Sequence, residues 1–263
     1  MPTYSQKVWG RDPAYGEVFY ARATGKAPEM ESSKATAKQL KGILVPKARV
    51  LDVGCGAGHY LRSLRRAYPF DFSYDGADVT PNYIRLAKKA YANDPLAHFR
   101  VAPVEKLPYA AKTFDIVMCC NVLLHLPAVV KPLQELWRVT KGTLLVRTLI
   151  GGSSFRIKQV HEQGTPKGKT DPVFDAKGEP KGFHYYNIYS EQYMRWLAGT
   201  LPGAAKITIE EDRDFDPKAM GTNRWPDKNK PADLTEIFNG WQVNNYVLQP
   251  WCFLRVTRTG RGA

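Results

Sequence analysis

A strand that runs directly into a glycine-rich turn constrains the fold of this chain more than any other feature. Arg49 to Val53 is a short run of β-branched residues and leucine, and Val50 to Tyr60 reads VLDVGCGAGHY. A helical pattern follows, with one apolar face formed by Leu61, Leu64 and Tyr68. A strand, a tight turn and a helix predict the start of a βαβ unit.

Strand and helix patterns continue to alternate after this unit, which predicts a parallel sheet covered on both faces. The chain is therefore expected to be an α/β protein with a doubly wound, seven-stranded, mostly parallel sheet. Thr80 and Ser190 are predicted to cap the helices that follow them. The six further strands are predicted at Phe72 to Val79, Ala97 to Val101, Phe114 to Cys120, Gly142 to Thr148, Lys206 to Glu210 and Trp251 to Thr257.

Two stretches interrupt the alternation and divide the chain into regions. We expect residues 1–42 to form a helical lid. In it, Tyr15, Phe19 and Tyr20 either cover a ligand site on the main domain or pack on the surface of the sheet. Residues 43–258 are expected to form the main domain, and 259–263 a basic tail. Insertions at about 149–189 and 212–250 are too long for ordinary loops, which predicts a function for them.

The net charge of +13 raises the question of a nucleic-acid partner. The excess does not fall on the second insertion, where five basic residues face six acidic ones. A nucleic-acid partner is therefore considered but not favoured. The four cysteines lack metal-ligand spacing, so we expect buried free thiols, no metal and a cytoplasmic protein. We expect no membrane partner, because no apolar run approaches the length of a span.

The glycine spacing and a downstream acid narrow the class of cofactor. The loop reads GxGxG, and His59 occupies the place where a dinucleotide loop has its third glycine. Asp78 ends the second strand 20 residues after Gly58, where a carboxylate can accept hydrogen bonds from ribose hydroxyls. The alternative is that Asp78 only caps the next helix. The loop glycines are expected to let backbone amides approach the ligand.

Three segments of the chain carry a resemblance to a known family. VLDVGCGAGHY (50–60), GADVTPNYIRLAKK (76–89) and FRVAPVEKLPYAAKTFDIVMCCNVLLHLP (99–127) resemble the class I S-adenosylmethionine-dependent methyltransferases. The likeness is strong over about 43–148 and weak in the last three elements. It implies a Rossmann-like methyltransferase fold and S-adenosylmethionine as the cofactor.

The resemblance also assigns cofactor roles to individual residues. It implies that Asp78 holds the ribose, that Val79 lies at the adenine face, and that the Asn121 backbone carbonyl meets the methionine amino group. The family's usual adenine-binding acid is replaced by Pro103, which leaves Glu105 or a backbone carbonyl for this task. The remaining implied cofactor residues are Asp52, Gly54, Cys55, Gly56, Gly58 and Val104.

The acceptor site is expected beneath the two insertions, because the fifth and sixth strands end at the ligand-binding edge of such a sheet. Arg147 could bind an anionic acceptor there or extend to solvent. The candidate catalytic residues are His125, His184 and Tyr185, with a local structural role as the alternative for His125. Tyr186, Trp225 and Trp241 are further substrate-binding candidates, and the alternative for such aromatic residues is a small satellite core.

These observations predict an enzyme that transfers a methyl group to oxygen or nitrogen of a small, polar metabolite. A sugar-like or an aromatic acceptor fits the aromatic and polar side chains of the insertions. Two alternatives remain open at this level. One is an RNA or tRNA methyltransferase, and the other is a non-catalytic or NAD-linked Rossmann protein.

Overall fold

The computed structural model describes residues 13–160, 174–179, 182–213, 236–238, 241–244 and 247–258. Within 236–250 the description is confined to the backbone. The helices are α1 (Pro13–Thr24), α2 (Glu31–Gln39), α3 (His59–Ala67), α4 (Pro81–Ala90), α5 (Val130–Val139) and α6 (Glu191–Gly199), with a 3₁₀ turn at Leu123–His125.

The strands of the main sheet alternate with these helices. They are β1 (Arg49–Val53), β2 (Ser73–Asp78), β3 (Ala97–Val101), β4 (Phe114–Cys120), β5 (Thr140–Gly151), β8 (Tyr189–Ser190), β9 (Ala204–Glu211), β10 (Glu236–Phe238), β11 (Trp241–Asn244) and β12 (Val247–Arg258). A separate antiparallel pair consists of β6 (Lys158–Val160) and β7 (Phe183–Tyr185).

The order of the strands confirms the predicted fold class. The central strands lie in the order β3, β2, β1, β4, β5 and β12, and all neighbours are parallel up to β5. β12 is antiparallel to β5 and to β9. The first part of β12 pairs with β11, which pairs with β10, so two strands more than expected extend the sheet at this end.

The structure bears out the strand bounds most closely in the first half of the chain. β1, β3 and β4 have the predicted ends, and β2 is one residue shorter at each end. β5 was expected to stop at Thr148 but continues to Gly151, because Ile150 and Gly151 pair with β8. The insertion after β5 therefore starts by prolonging the sheet.

Alternate residues of the central strands enter two apolar layers, as expected for a sheet covered on both faces. α5 and α6 pack on one face, and α2, α3 and α4 pack on the other. All four cysteines are free and buried, as predicted. Among the described residues, no helix has the length and apolar character needed to cross a membrane.

The two predicted caps have different outcomes. Ser190 caps α6 as expected, since its hydroxyl accepts a hydrogen bond from the Tyr193 amide at 3.2 Å. The prediction for Thr80 was wrong, because its side chain makes no capping hydrogen bond to α4. Asp78 Oδ1 instead accepts from the Thr80 amide at 2.8 Å. Asp78 therefore bonds to the backbone at the start of α4, which is part of the capping role considered as its alternative.

Candidate functional site

The loop between β1 and α3 packs too tightly for side chains at its glycines. Gly54 has φ +81°, and a Cβ there would lie 2.1 Å from a methyl carbon of Val122. Gly58 also has φ +81°, and its Cβ would lie 2.8 Å from the Tyr91 ring. Glycine is therefore required at both positions. The backbone is left-handed there, and Val122 after β4 and Tyr91 after α4 leave no room for a Cβ.

The amides of this loop are paired within the protein, which corrects the expectation that they face a ligand. Gly54 and Cys55 donate to the Ala77 carbonyl at 2.7 and 3.2 Å, and Gly58 donates to the Cys55 carbonyl at 2.9 Å. Gly56 donates to Asp78 Oδ2 at 3.0 Å. A loop that binds pyrophosphate needs such amides for the phosphate oxygens. The observed pairing therefore disfavours the dinucleotide alternative.

Two buried carboxyl groups flank the loop and give it acidic character. Asp52 accepts a hydrogen bond from the Tyr74 hydroxyl at 2.5 Å, and burial raises the pKa of Asp52 to about 7. Burial also raises the pKa of Asp78, although hydrogen bonds from Thr80 and Gly56 lower it in part. A carboxylate accepts hydrogen bonds only, which suits a ligand that offers hydroxyl groups as donors. Carboxylates attract a cationic ligand and repel a phosphate.

The segment after β3 lies beside Asp78, where the resemblance implies the adenine site. The Ala102 amide donates to the Asp78 carbonyl at 3.0 Å, which ties the segment to the end of β2. Val104 is 5% exposed and belongs to the core, so its side chain packs away from solvent. Val79 and Glu105 are partly exposed. The structure thus brings Asp78, Val79, Val104 and Glu105 to one edge of the sheet.

Asn121 closes the other side of the loop, directly after β4. Its φ of +61° lies in the left-handed region, which is uncommon for a residue with a side chain. Its amide donates to the Arg147 carbonyl at 2.9 Å, and its side-chain amide lies 3.5 Å from the Tyr60 hydroxyl. The adjacent Cys55 side chain belongs to the core, so only its backbone remains for a ligand.

Arg147 does not extend to solvent, which was one of its two predicted environments. Its side chain is 1% exposed, which excludes extension to solvent, and Nε donates to Asp212 Oδ2 at 2.7 Å. Nη1 donates to Asn121 Oδ1 at 2.6 Å, and the guanidinium stacks on Trp251. Of the three guanidinium nitrogens of Arg147, only Nη2 has no hydrogen-bond partner among the described residues. Binding of an anionic acceptor stays a prediction that this compensated charge disfavours.

The candidate catalytic residues come together where the first insertion meets the end of β4. His125 Nδ1 lies 2.9 Å from the Tyr185 carbonyl oxygen, which can only accept, so Nδ1 carries the proton. The His125 ring lies 5.8 Å from the His184 ring and 5.5 Å from the Tyr186 ring. Burial lowers the pKa of His125 to about 4, so the imidazole is neutral at pH 7. The Tyr185 side chain instead packs edge-on against Phe183.

Sequence reasoning missed the residues that fasten this insertion to the sheet. The Asn187 amide donates to the Leu124 carbonyl, and its side chain donates to the Leu126 carbonyl, both at 2.8 Å. The Tyr189 hydroxyl donates to the Leu123 carbonyl at 2.9 Å. The local sequence does not reveal the role of these residues, because their hydrogen-bond partners lie about sixty residues away along the chain.

A second missed contact joins α1 to the glycine loop. The Phe19 ring stacks on the His59 ring at 4.6 Å with an 8° angle, and it also lies 3.2 Å from the place of a Gly56 Cβ. Phe19 therefore packs against the glycine loop and not only on an outer surface of the sheet. Trp225 lies outside the described residues, and of Trp241 only the backbone in β11 is described.

The comparisons with known proteins agree with this geometry. Residues 51–145 match the model of the family described as "Methyltransferase domain". The matched residues lie within the part of the chain that resembles the class I S-adenosylmethionine-dependent methyltransferases, so the match supports this family. The match agrees with the predicted methyltransferase family and with its cofactor, S-adenosylmethionine.

Solved methyltransferase structures share the fold of this methyltransferase at low sequence identity. One from Aquifex aeolicus is 17% identical with a TM-score of 0.52 and covers 94% of this chain and 99% of its own. One from Thermotoga maritima is 15% identical with a TM-score of 0.53, over 96% and 99%. A phosphoethanolamine N-methyltransferase from Haemonchus contortus is 15% identical with a TM-score of 0.57, over 81% and 47%. These likenesses show the fold alone.

Proposed function

We propose that this methyltransferase moves the methyl group of S-adenosylmethionine to oxygen or nitrogen of a small, polar acceptor. The observation that carries the proposal is the pairing of the Gly54, Cys55, Gly56 and Gly58 amides within the protein, beside two buried carboxyl groups. This site offers acceptors and negative charge. A cationic sulfonium nucleoside requires both, whereas a dinucleotide requires free amides.

Each part of the donor has residues of suitable chemistry at this edge of the sheet. Asp78 would accept from the ribose hydroxyls, and Asp52 would balance the positive charge of the methionine end. The Asn121 carbonyl would accept from the amino group. The backbone of Val104 and the partly exposed Val79 would border the adenine, with Glu105 close to its polar edge.

The bound donor supplies a methyl group on a sulfonium that is displaced in line by the acceptor atom. The protein therefore contributes mainly by aligning the acceptor and excluding water. A base is needed only where the acceptor atom keeps its proton. His184 and the unprotonated nitrogen of His125 are the candidates, and the Tyr185 carbonyl orients the His125 ring.

The acceptor is proposed to lie against the cluster of His125, His184 and Tyr186. This cluster joins the end of β4, next to Asn121, to the strand pair β6–β7 of the first insertion. Neutral aromatic rings with polar edges can stack on a ring and hydrogen-bond to its substituents. A small acceptor with a sugar-like or aromatic ring fits these groups better than a long, highly charged polymer.

The acceptor class can be tested by transfer of a labelled methyl group. Purified protein would be incubated with methyl-labelled donor and either size-fractionated metabolites or total RNA, with Asp78→Ala as the control for donor binding. The proposal predicts label in the low-molecular-mass fraction with the native enzyme alone. Label in RNA, lost as salt is raised, would instead establish the nucleic-acid alternative suggested by the net charge.

A further inference from the structure

We infer that Arg147, held in place by Asp212, is a positioning residue that fixes the backbone of Asn121 for the methyl donor. This inference rests on the proposed function, because it assumes that the Asn121 carbonyl meets the donor. It gives Arg147 a task different from the predicted binding of an anionic acceptor. Four observations carry it.

The first observation is the backbone of Asn121. Three described residues other than glycine have positive φ, and two of them, Lys47 and Lys112, are exposed. Asn121 alone of the three lies at a strand end beside the glycine loop, opposite Tyr60. A left-handed conformation costs free energy for most residues with a Cβ, although asparagine adopts it more readily than others, and it persists where the surroundings hold it. The direction of the Asn121 carbonyl therefore depends on what holds this residue.

The second observation is that Arg147 holds Asn121 at two points. The Arg147 carbonyl accepts from the Asn121 amide at 2.9 Å, and Nη1 donates to Asn121 Oδ1 at 2.6 Å. The first hydrogen bond fixes the backbone amide of Asn121, and the second fixes its side chain. Together they leave the carbonyl as the part of Asn121 that can face a ligand.

The third observation is that Arg147 is itself fixed on several sides. Its Nε donates to Asp212 Oδ2 at 2.7 Å, with both side chains 1% exposed. Its guanidinium carbon lies 4.2 Å from the Trp251 ring, and the Asp212 amide donates to the Trp251 carbonyl at 2.7 Å. A planar guanidinium held by bonds and stacking has little freedom to move.

The fourth observation concerns what a buried ion pair contributes. Removing two charges from water offsets much of their attraction, so such a pair is weak evidence for a stabilising role. A role in setting geometry explains why the Arg147 guanidinium bonds to both Asp212 and Asn121. The registry of β5 beside β4, which pairs Arg147 with Cys120, places the guanidinium next to the residue that follows Cys120.

A paired substitution separates this role from a stabilising one. In Arg147→Met with Asp212→Leu both charges are removed, so neither is left buried and unpaired, and the fold should be retained. We expect the affinity for S-adenosylhomocysteine, measured by calorimetry, to fall about tenfold, with a thermal midpoint close to that of the native protein. Arg255→Met is the matched control, because Arg255 bonds to Gln39 away from the site. Native affinity in the paired variant would overturn the inference.

Substitutions at Asn121 test the same idea without touching the ion pair. Glycine adopts the left-handed backbone freely and alanine does not, so Asn121→Ala should lose about tenfold more affinity than Asn121→Gly. Equal losses would overturn the inference. In the Asn121→Gly background, the Arg147 and Asp212 changes should cost less than in the native background, and additive losses would contradict the mechanism. Absence of binding by the native protein would instead refute the proposed function.

Discussion

The proposed donor edge of the sheet and the proposed acceptor region beside it are built in different ways. The donor edge, from the glycine loop to Asn121, consists of short segments that follow strands whose register is fixed by neighbouring strands. The acceptor region depends on an insertion tied to the sheet by a few bonds from Asn187, Tyr189 and Tyr185. A common donor requires a constant site, whereas acceptors differ between enzymes. We therefore expect substitutions to affect donor binding in one region and turnover in the other.

The largest expected effect tests how tightly the donor edge is packed. In Gly54→Ala, the new Cβ would lie 2.1 Å from Val122 in a left-handed residue. We expect the free energy of unfolding, measured in urea, to fall by about 3 kcal/mol from overpacking and backbone strain. Gly152→Ala is the control, because a Cβ there meets nothing within 4 Å. Equal stability of the two variants would show that the loop is loose.

The second prediction asks whether His125 anchors the insertion or transfers a proton. His125→Asn can keep a hydrogen bond to the Tyr185 carbonyl, whereas His125→Phe removes it. An anchoring role predicts that the phenylalanine variant loses about thirtyfold in kcat through misplacement of the acceptor, while the asparagine variant loses much less. Donor affinity should change less than twofold in both. Equal, hundredfold losses in kcat would identify the imidazole as a general base.

The third prediction concerns the pH dependence of donor binding. With a pKa of about 7, Asp52 is mostly protonated at about pH 6 and mostly ionised at about pH 8. Ionisation favours a cationic ligand, so affinity for S-adenosylmethionine, whose sulfonium gives it a net positive charge, should rise about tenfold over this interval. Asp52→Asn should flatten the profile. A profile that stays unchanged in this variant would remove Asp52 from the donor site.

The Asp52 carboxyl group should also affect the free energy of unfolding in a pH-dependent way when no ligand is bound. Its folded-state pKa is raised, so its contribution is fully present below about pH 4 and is lost as pH rises through about 7. His59 and His125, whose pKa values are lowered to about 3 and about 4 by burial, act in the opposite direction, and their contribution is lost below about pH 6.5. The contribution of the Asp52 carboxyl group is the difference in the free energy of unfolding between the native protein and Asp52→Asn, measured in urea at several pH values.

The smallest effect is expected at α1. Phe19 stacks on His59 over the glycine loop, so Phe19→Ala should weaken donor binding about threefold through loss of this contact. Tyr20→Ala is the matched control on the same helix, because Tyr20 faces Lys89 instead. Equal losses in the two variants would show that α1 acts only through its general packing.

The contrast between the two regions also explains what could be predicted from the sequence. β1 and β4 were predicted at their observed ends because each is a short, mostly apolar run, and β3 because apolar and polar residues alternate in it. The glycine loop and Asp78 were recognisable because their spacing is local. The continuation of β5 to Gly151 was not, because it depends on pairing with Tyr189 and Ser190 across an insertion.

The surroundings of the charged residues were the hardest part of the site to predict. Arg147 was placed on the right strand, but its partner Asp212 is 65 residues away and follows a different strand. The pairing of the loop amides was likewise invisible, since it depends on the position of β2 beside the loop. Side-chain partners that are distant in sequence follow from strand order, which a single sequence indicates only in outline.

Calorimetry with S-adenosylhomocysteine tests the central claim most directly, because it measures donor binding without knowledge of the acceptor. The account predicts micromolar binding by the native protein and a loss of about thirtyfold or more in Asp78→Ala, where two charge-assisted hydrogen bonds disappear. Asp75→Ala, which removes another buried carboxyl group of the same strand, should bind within threefold of native. No binding by the native protein, or equal affinity in Asp78→Ala, would contradict the account.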